Sequence, residues 1–317
     1  MMGGRGDAAP IFHGRRDEQV RRMRRTRSAT RGALGVVALL VSGACIMLYP
    51  ATAAWFAELR QSQLLGDYAT VVEHTDGAAQ RDALASAQAY NETLTGGAIV
   101  EPDLERASDT TGEAAADYRA QLAGDEHDVM ARVRVPAIGV DLPIYHGTSE
   151  EVLRRGVGHL FGTALPVGGA DTHAVITGHR GLPESTLFTN LDQVGVGDLV
   201  QIDVAGQLLT YRVSATRVVE PSDTHSLFPV PGQDLLTLIT CTPLGINSHR
   251  ILVTAERIPN PSADDPALEM PPIPGLPWWS VGLAAALGAA AAIVTTSSRP
   301  RDEVARERRQ PVNAELP

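Results

Sequence analysis

The chain has no lysine, so all 27 of its cationic residues are arginine, and only two of its 317 residues are cysteine. The missing lysine, set beside abundant Ala, Arg and Gly, reads as a compositional bias of the source. Cations are also scarce through the middle. Residues 1–31 hold nine arginines against three acidic residues, and residues 299–317 five against four, which leaves 13 arginines against 30 acids between them. An acidic middle argues against nucleic acid as a partner, because phosphate binding needs clustered cations. Cys45 lies in an apolar N-terminal run, so Cys241 is the single thiol outside the apolar segments. It has no disulfide partner there.

Residues 1–31 read as a basic tail without an apolar period to bury. Residues 32–49 are uncharged and long enough to span a bilayer as a helix. A cleaved signal peptide is the alternative reading. Preceding arginines place the N-terminus in the cytoplasm. Residues 50–94 carry helical periodicity, with Trp55, Leu59, Tyr68 and Val72 in one helix and Leu84, Ala87, Asn91 and Leu94 in a second after Thr75-Asp76-Gly77. Residues 95–129 are acidic and weakly patterned, a mobile segment with one short helix near 114–122.

From 130 to 258 the texture becomes that of short strands: 132–136, 142–145, 172–178, 198–204, 208–219, 235–241 and 250–257. Ser149 caps a helical turn to Arg155, and 156–162 is a Gly-rich connector. Many short strands with brief helices indicate a closed or nearly closed β-barrel. A Pro-rich linker fills 259–277. Residues 278–297, opened by Trp278-Trp279 and followed by Arg299 and Arg301, form a second span, with 298–317 as a cytoplasmic tail. An alanine-rich helix packed on the barrel is the bland alternative. With two spans and both termini inside, the barrel is extracytoplasmic, and there an unpaired thiol is exposed to oxidation. A purely structural role for Cys241 is then less expected, although lone cysteines are usually small buried hydrophobes.

Cys241 ends an apolar strand, and a thiol needs a base or cation beside it to act as a nucleophile. His179 ends another strand, in Thr177-Gly178-His179-Arg180-Gly181, and is the candidate base. His249 is the runner-up, set by the pleat to face away from Arg250. Arg250 opens the strand after Cys241. A short connection brings its guanidinium to the same barrel end, where it can hold an oxyanion. His146, His159, His173 and His225 read as structural or surface residues.

At Thr177-Gly178-His179, Thr237-Leu238-Ile239-Thr240-Cys241 and Arg250, the chain resembles the sortase family over about 130–258. The resemblance implies a mainly β fold: an eight-stranded sortase barrel after an N-terminal helical region, flanked by two transmembrane helices. It further implies a cysteine transpeptidase that uses no cofactor or metal. Cys241 would attack the Thr–Gly carbonyl of an LPXTG-like sorting signal, with His179 as general acid and base. Arg250 would stabilise the oxyanion, and Thr240 would line the substrate groove. Residues 145–148, 178–183 and 241–250 resemble class C, the pilin polymerases of Gram-positive and here actinobacterial cells, whose acceptor is a lysine amine on the next pilin subunit. A chain without lysine cannot offer itself as that acceptor. Class C enzymes carry a lid anchored by an Asp-Pro-aromatic motif. The matching place here, in a lid segment of 95–129, reads Glu101-Pro102-Asp103-Leu104. Its acid is one carbon longer and no aromatic follows, so a looser lid is expected. A housekeeping sortase that anchors proteins to peptidoglycan is the alternative. A non-catalytic membrane-tethered scaffold is the reading from another class.

Overall fold

A computed structural model describes residues 13–94, 112–123, 128–182, 185–260 and 274–298, apart from the side chains of 13–31 and 297–298. It divides into two compact units, 1–52 with 276–317 and 53–275. Helix α1 (His13–His74), which begins in the first unit and ends in the second, and α5 (Trp278–Ser298) contain the two described segments long and apolar enough to cross a membrane. Their most apolar stretches have mean hydropathies of 2.2 and 1.6, and almost none of their residues are buried in protein. Side chains such as Leu39, Ile46 and Met47 point outward, as they do on a helix whose surroundings are apolar. The basic stretch expected to lack structure is helical in its backbone from His13. The helix that carries the apolar segment continues past Pro50 through the first of the expected helices and ends at His74, before Thr75-Asp76-Gly77.

In the second unit, eight strands close into a barrel in the order β1-β2-β3-β4-β7-β8-β6-β5. They are β1 (Val129–Val135), β2 (Val140–His146), β3 (Val157–His159), β4 (Thr172–Thr177), β5 (Leu199–Val204), β6 (Gln207–Val219), β7 (Asp234–Thr242) and β8 (His249–Ile258). The core is aliphatic, with Val133, Ile144, Ile176, Ile202, Leu236, Leu238 and Val253 all buried. Strand β3 lies inside the stretch expected to be a Gly-rich connector. Glycine is there because of close approach: a Cβ on Gly158 would run into the Gly147 carbonyl, and one on Gly156 would lie 2.8 Å from the Pro143 carbonyl oxygen. Composition hid the eighth strand for that reason.

Two helical elements pack on the barrel. The end of α1 buries Leu65, Tyr68 and Val72, and the Tyr68 hydroxyl accepts from the Ala205 amide at the β5–β6 turn. Helix α2 (Gly77–Thr93) begins at Asp76, whose carboxylate accepts from the Ala78 amide. It ends with Asn91, which donates to the Leu165 carbonyl at 3.1 Å and accepts from the Leu165 amide at 2.7 Å, as a neighbouring strand would. Helix α3 (Glu113–Ala120) falls in the stretch expected to be mobile, yet it is pinned to the barrel. Tyr118 is fully buried, with its hydroxyl 2.9 Å from His159 Nδ1 and accepting from the Gly147 amide. The anchor was illegible because its partners lie about 30 to 40 residues away in sequence.

Candidate active site

Strands β4 and β7 run parallel, with Thr177 opposite Ile239. Continuing that register by two residues sets His179 level with Cys241. Strands β7 and β8 are antiparallel and place Cys241 directly opposite Arg250. Thiol, imidazole and guanidinium therefore meet at one barrel rim because of strand pairing, although 70 residues of sequence lie between His179 and Arg250. All three line a single cleft of about 330 Å³, shared with Thr148, Glu150, Leu153, Leu160, Thr177 and Thr240.

Cys241 and Arg250 are partly exposed. Arg250 Nη1 donates to the carbonyls of Asn247 and His249 at 3.0 and 3.2 Å, which folds the β7–β8 loop beneath the guanidinium. His249 is exposed and pairs its Nδ1 with Ser248 Oγ, away from the thiol. Thr240 lines the cleft, but its hydroxyl is buried and donates to the Gly178 carbonyl at 2.8 Å. That bond ties the end of β7 to the end of β4. Glu101, Pro102, Asp103 and Leu104 lie outside the described residues.

Other groups at this rim escaped the sequence reading. Glu150, the first residue of α4 (Glu150–Arg155), brings Oε2 to 3.3 Å from His179 Nε2. Arg180 donates to Thr242 Oγ1 and to the Thr189 carbonyl, both at 3.0 Å, and pairs with Asp192 at 2.7 Å. The sequence signals were thin: an arginine adjoining the candidate histidine, and an acid just after an N-cap serine.

The remaining barrel histidines are structural. Burial drives the His159 pKa down to about 4, only partly offset by its hydrogen bond to the Ala164 carbonyl. Burial also lowers His146 and His173, against their bonds to the Gln121 and Phe228 carbonyls. Burial holds each neutral, while a backbone carbonyl fixes the ring in place.

A thiol, an imidazole and a guanidinium gathered in one cleft of a closed barrel have the chemistry that cysteine-based acyl transfer requires. Comparison with known proteins agrees. A sortase domain model matches residues 133–258. The structure is similar to sortase C-1 from Actinomyces oris, at 49% identity and a TM-score of 0.53, over 57% of this chain and 99% of that one. It is similar also to Streptococcus pneumoniae sortase C, at 40% identity and a TM-score of 0.55, over 62% and 97% of the two chains. Among curated relatives, sortase D of Bacillus subtilis strain 168 is 27% identical over 129 residues, 40% of this chain and 62% of that protein. The chain spans about three fifths of the length of the curated relatives it matches. It belongs to the sortase family.

Proposed function

We propose that the protein is a membrane-tethered class C sortase, a cysteine transpeptidase that joins pilin subunits. In this reading the Cys241 thiolate attacks the threonine carbonyl of an LPXTG-like sorting signal. Arg250 donates to the oxyanion of the tetrahedral intermediate. As the intermediate collapses the Thr–Gly bond breaks, the glycine amine leaves with a proton from His179, and a thioester remains on Cys241. A lysine amine of the next pilin then attacks the thioester, gives its proton to His179, and releases the Cys241 thiolate. The same imidazole serves as acid and then as base, so no cofactor is needed.

The observation that carries the reading is the register that pairs Cys241 with Arg250 and sets His179 level with the thiol. The pilin assignment is supported by the likeness to Actinomyces oris sortase C-1 and to the pneumococcal sortase C, whose structure bears on pilin substrate specificity. The two candidate spans support a catalytic unit held at a membrane surface with both termini inside.

The test is incubation of the full chain in detergent with a sorting-signal peptide, followed by mass spectrometry. A thioester on Cys241, absent from Cys241→Ala, is expected. A lysine-bearing pilin peptide should then discharge it. Discharge only by a cell-wall amine would favour the peptidoglycan-anchoring activity, and failure to form any adduct would remove both enzyme readings.

A further inference from the structure

The Cys241–His179–Arg250 rim contains a fourth ionisable group whose placement the chemistry above does not use. Glu150 projects into the same cleft from the start of α4. Its two carboxylate oxygens face different partners. Oε1 is 3.3 Å from Arg154 Nε, one helical turn on, and Oε2 is 3.3 Å from His179 Nε2. The helix that carries it is fixed locally. Ser149 Oγ accepts from the Val152 amide, and Leu153 is buried beneath. The Nε2 atom itself is shut off from solvent, and no aligned hydrogen bond reaches it among the described residues. The Glu150 carboxylate is the group that stands against it.

We propose that Glu150 is a positioning residue for His179, holding the ring by its Nε2–H so that Nδ1 is the nitrogen that exchanges a proton with the Cys241 thiol and the transferred amines. This rests on the transpeptidase reading.

The argument is one of ring orientation. An imidazole has two distinct nitrogens, and the partner of one decides which tautomer the other presents. A carboxylate is an acceptor only, so it demands a proton on the nitrogen it faces. With Nε2 so occupied, Nδ1 carries the proton that leaves with the glycine amine, and Nδ1 later takes the proton of the incoming lysine amine. No proton is transferred to Glu150 in either step. Arg154 complements the arrangement by drawing Oε1 away along the helix, which turns Oε2 toward the ring. The present contact is an ion-pair approach without hydrogen-bond alignment. Such contacts tighten when substrate closes a site. The side chain is 63% exposed, so this pair adds little to folding stability and its effect falls on the reaction.

The experiment measures the two half-reactions separately in the full chain, using a sorting-signal peptide and a lysine peptide. Wild type must first form the Cys241 thioester. If it does not, the transpeptidase reading fails and Glu150 is not at issue. Given an active wild type, Glu150→Ala should lower the rate constant of thioester formation about 10-fold or more with KM within twofold, in line with the leverage of small misplacements. Glu150→Gln should recover part of the loss, because its amide oxygen can still accept from Nε2–H. Arg154→Ala should produce a smaller loss of the same kind. Nitrogen-15 NMR of labelled histidine should show the His179 tautomer population redistribute in Glu150→Ala. Unchanged thioester formation in Glu150→Ala overturns the proposal. So does slowing confined to discharge by the lysine peptide, because Glu150 would then be serving the incoming amine.

Discussion

Arg180 Nη1 donates to Thr242 Oγ1 at 3.0 Å, so the residue after His179 is tied to the residue after Cys241. The residues before them are tied as well, by the bond from Thr240 Oγ1 to the Gly178 carbonyl at 2.8 Å. The proposed base and nucleophile are thus bracketed on both sides by hydrogen bonds between the same two strand ends. Backbone pairing reaches this rim through the Gly178 amide, which donates to the Ile239 carbonyl at 3.0 Å. Beyond it the ladder stops, and side chains continue it.

The outer half of the bracket should govern turnover more than stability. Arg180 is 11% exposed and also holds the Thr189 carbonyl and Asp192. Arg180→Met and Thr242→Val should each lower kcat about 10-fold with little change in KM, since misplacing reacting groups costs rate before binding. A double-mutant cycle on log kcat should give a coupling of about 1 kcal/mol, within the range for residues in direct contact. Additive effects of the two substitutions would show that the bond does not set the alignment.

The inner half is buried and should register in both quantities. Thr240→Val keeps the shape but leaves the Gly178 carbonyl without its donor, at a cost of about 1–3 kcal/mol. Thr240→Ser restores the donor and should restore kcat to within about threefold, on the same reckoning of one retained hydrogen bond. If Thr240→Ser is as slow as Thr240→Val, the methyl group matters and the hydroxyl does not. Denaturant unfolding measured beside single-turnover kinetics separates the two contributions.

Strand ends and apolar alternation made most of the barrel legible. The runs at 172–178, 198–204, 208–219 and 235–241 fall within a residue or two of β4, β5, β6 and β7. Cys241, His179 and Arg250 could be singled out because each ends or begins a strand, which limits where it can project. Glu150, Arg180 and Thr242 could not be joined to them by pattern, because their contacts cross 29 to 62 positions of sequence and depend on rotamers. Tyr118 was hidden for a related reason. A short acidic helix carries no sign that one of its rings will fill the gap beside His159.

Strand β3 invites a test of close packing. Gly158 faces the Gly147 carbonyl across the parallel β2–β3 pair, and a methyl group there would also press on Leu153 at 3.2 Å. Gly158→Ala should destabilise the barrel by about 2 kcal/mol or more, because added core volume forces backbone shifts of that order of cost. Gly197→Ala is the control. That glycine has a φ of +100° with nothing within 4 Å, so its cost is conformational alone. Thermal unfolding should rank Gly158→Ala below Gly197→Ala, and the reverse order would mean that the β2–β3 approach can relax.

Stability should fall on acidification from pH 7.5 to 5.5, and the sign follows from which groups are buried neutral. Burial holds His159 at about 4, and it lowers His146 and His173 as well. An unfolded imidazole takes up its proton near 6.5, so below that pH the unfolded chain binds more protons and gains on the fold. His159 alone should remove on the order of 1 kcal/mol over this interval. Asp203 acts in the opposite sense. Burial raises its carboxyl to about 6 despite Arg134 and Arg132, so the folded chain takes up a proton there before the unfolded chain does. Burial raises Asp234 too, with the same sign. Above about 6 the histidines act alone, so the decline begins as pH passes 6.5 and softens lower down. Asp203→Asn removes the larger opposing group and should steepen the decline. Urea unfolding followed by near-ultraviolet circular dichroism, which reads the buried rings of Tyr118, Tyr145 and Tyr211, measures it directly. A flat profile in Asp203→Asn would mean that the histidines take up protons in the folded chain as readily as in the unfolded one, and that burial does not hold them neutral.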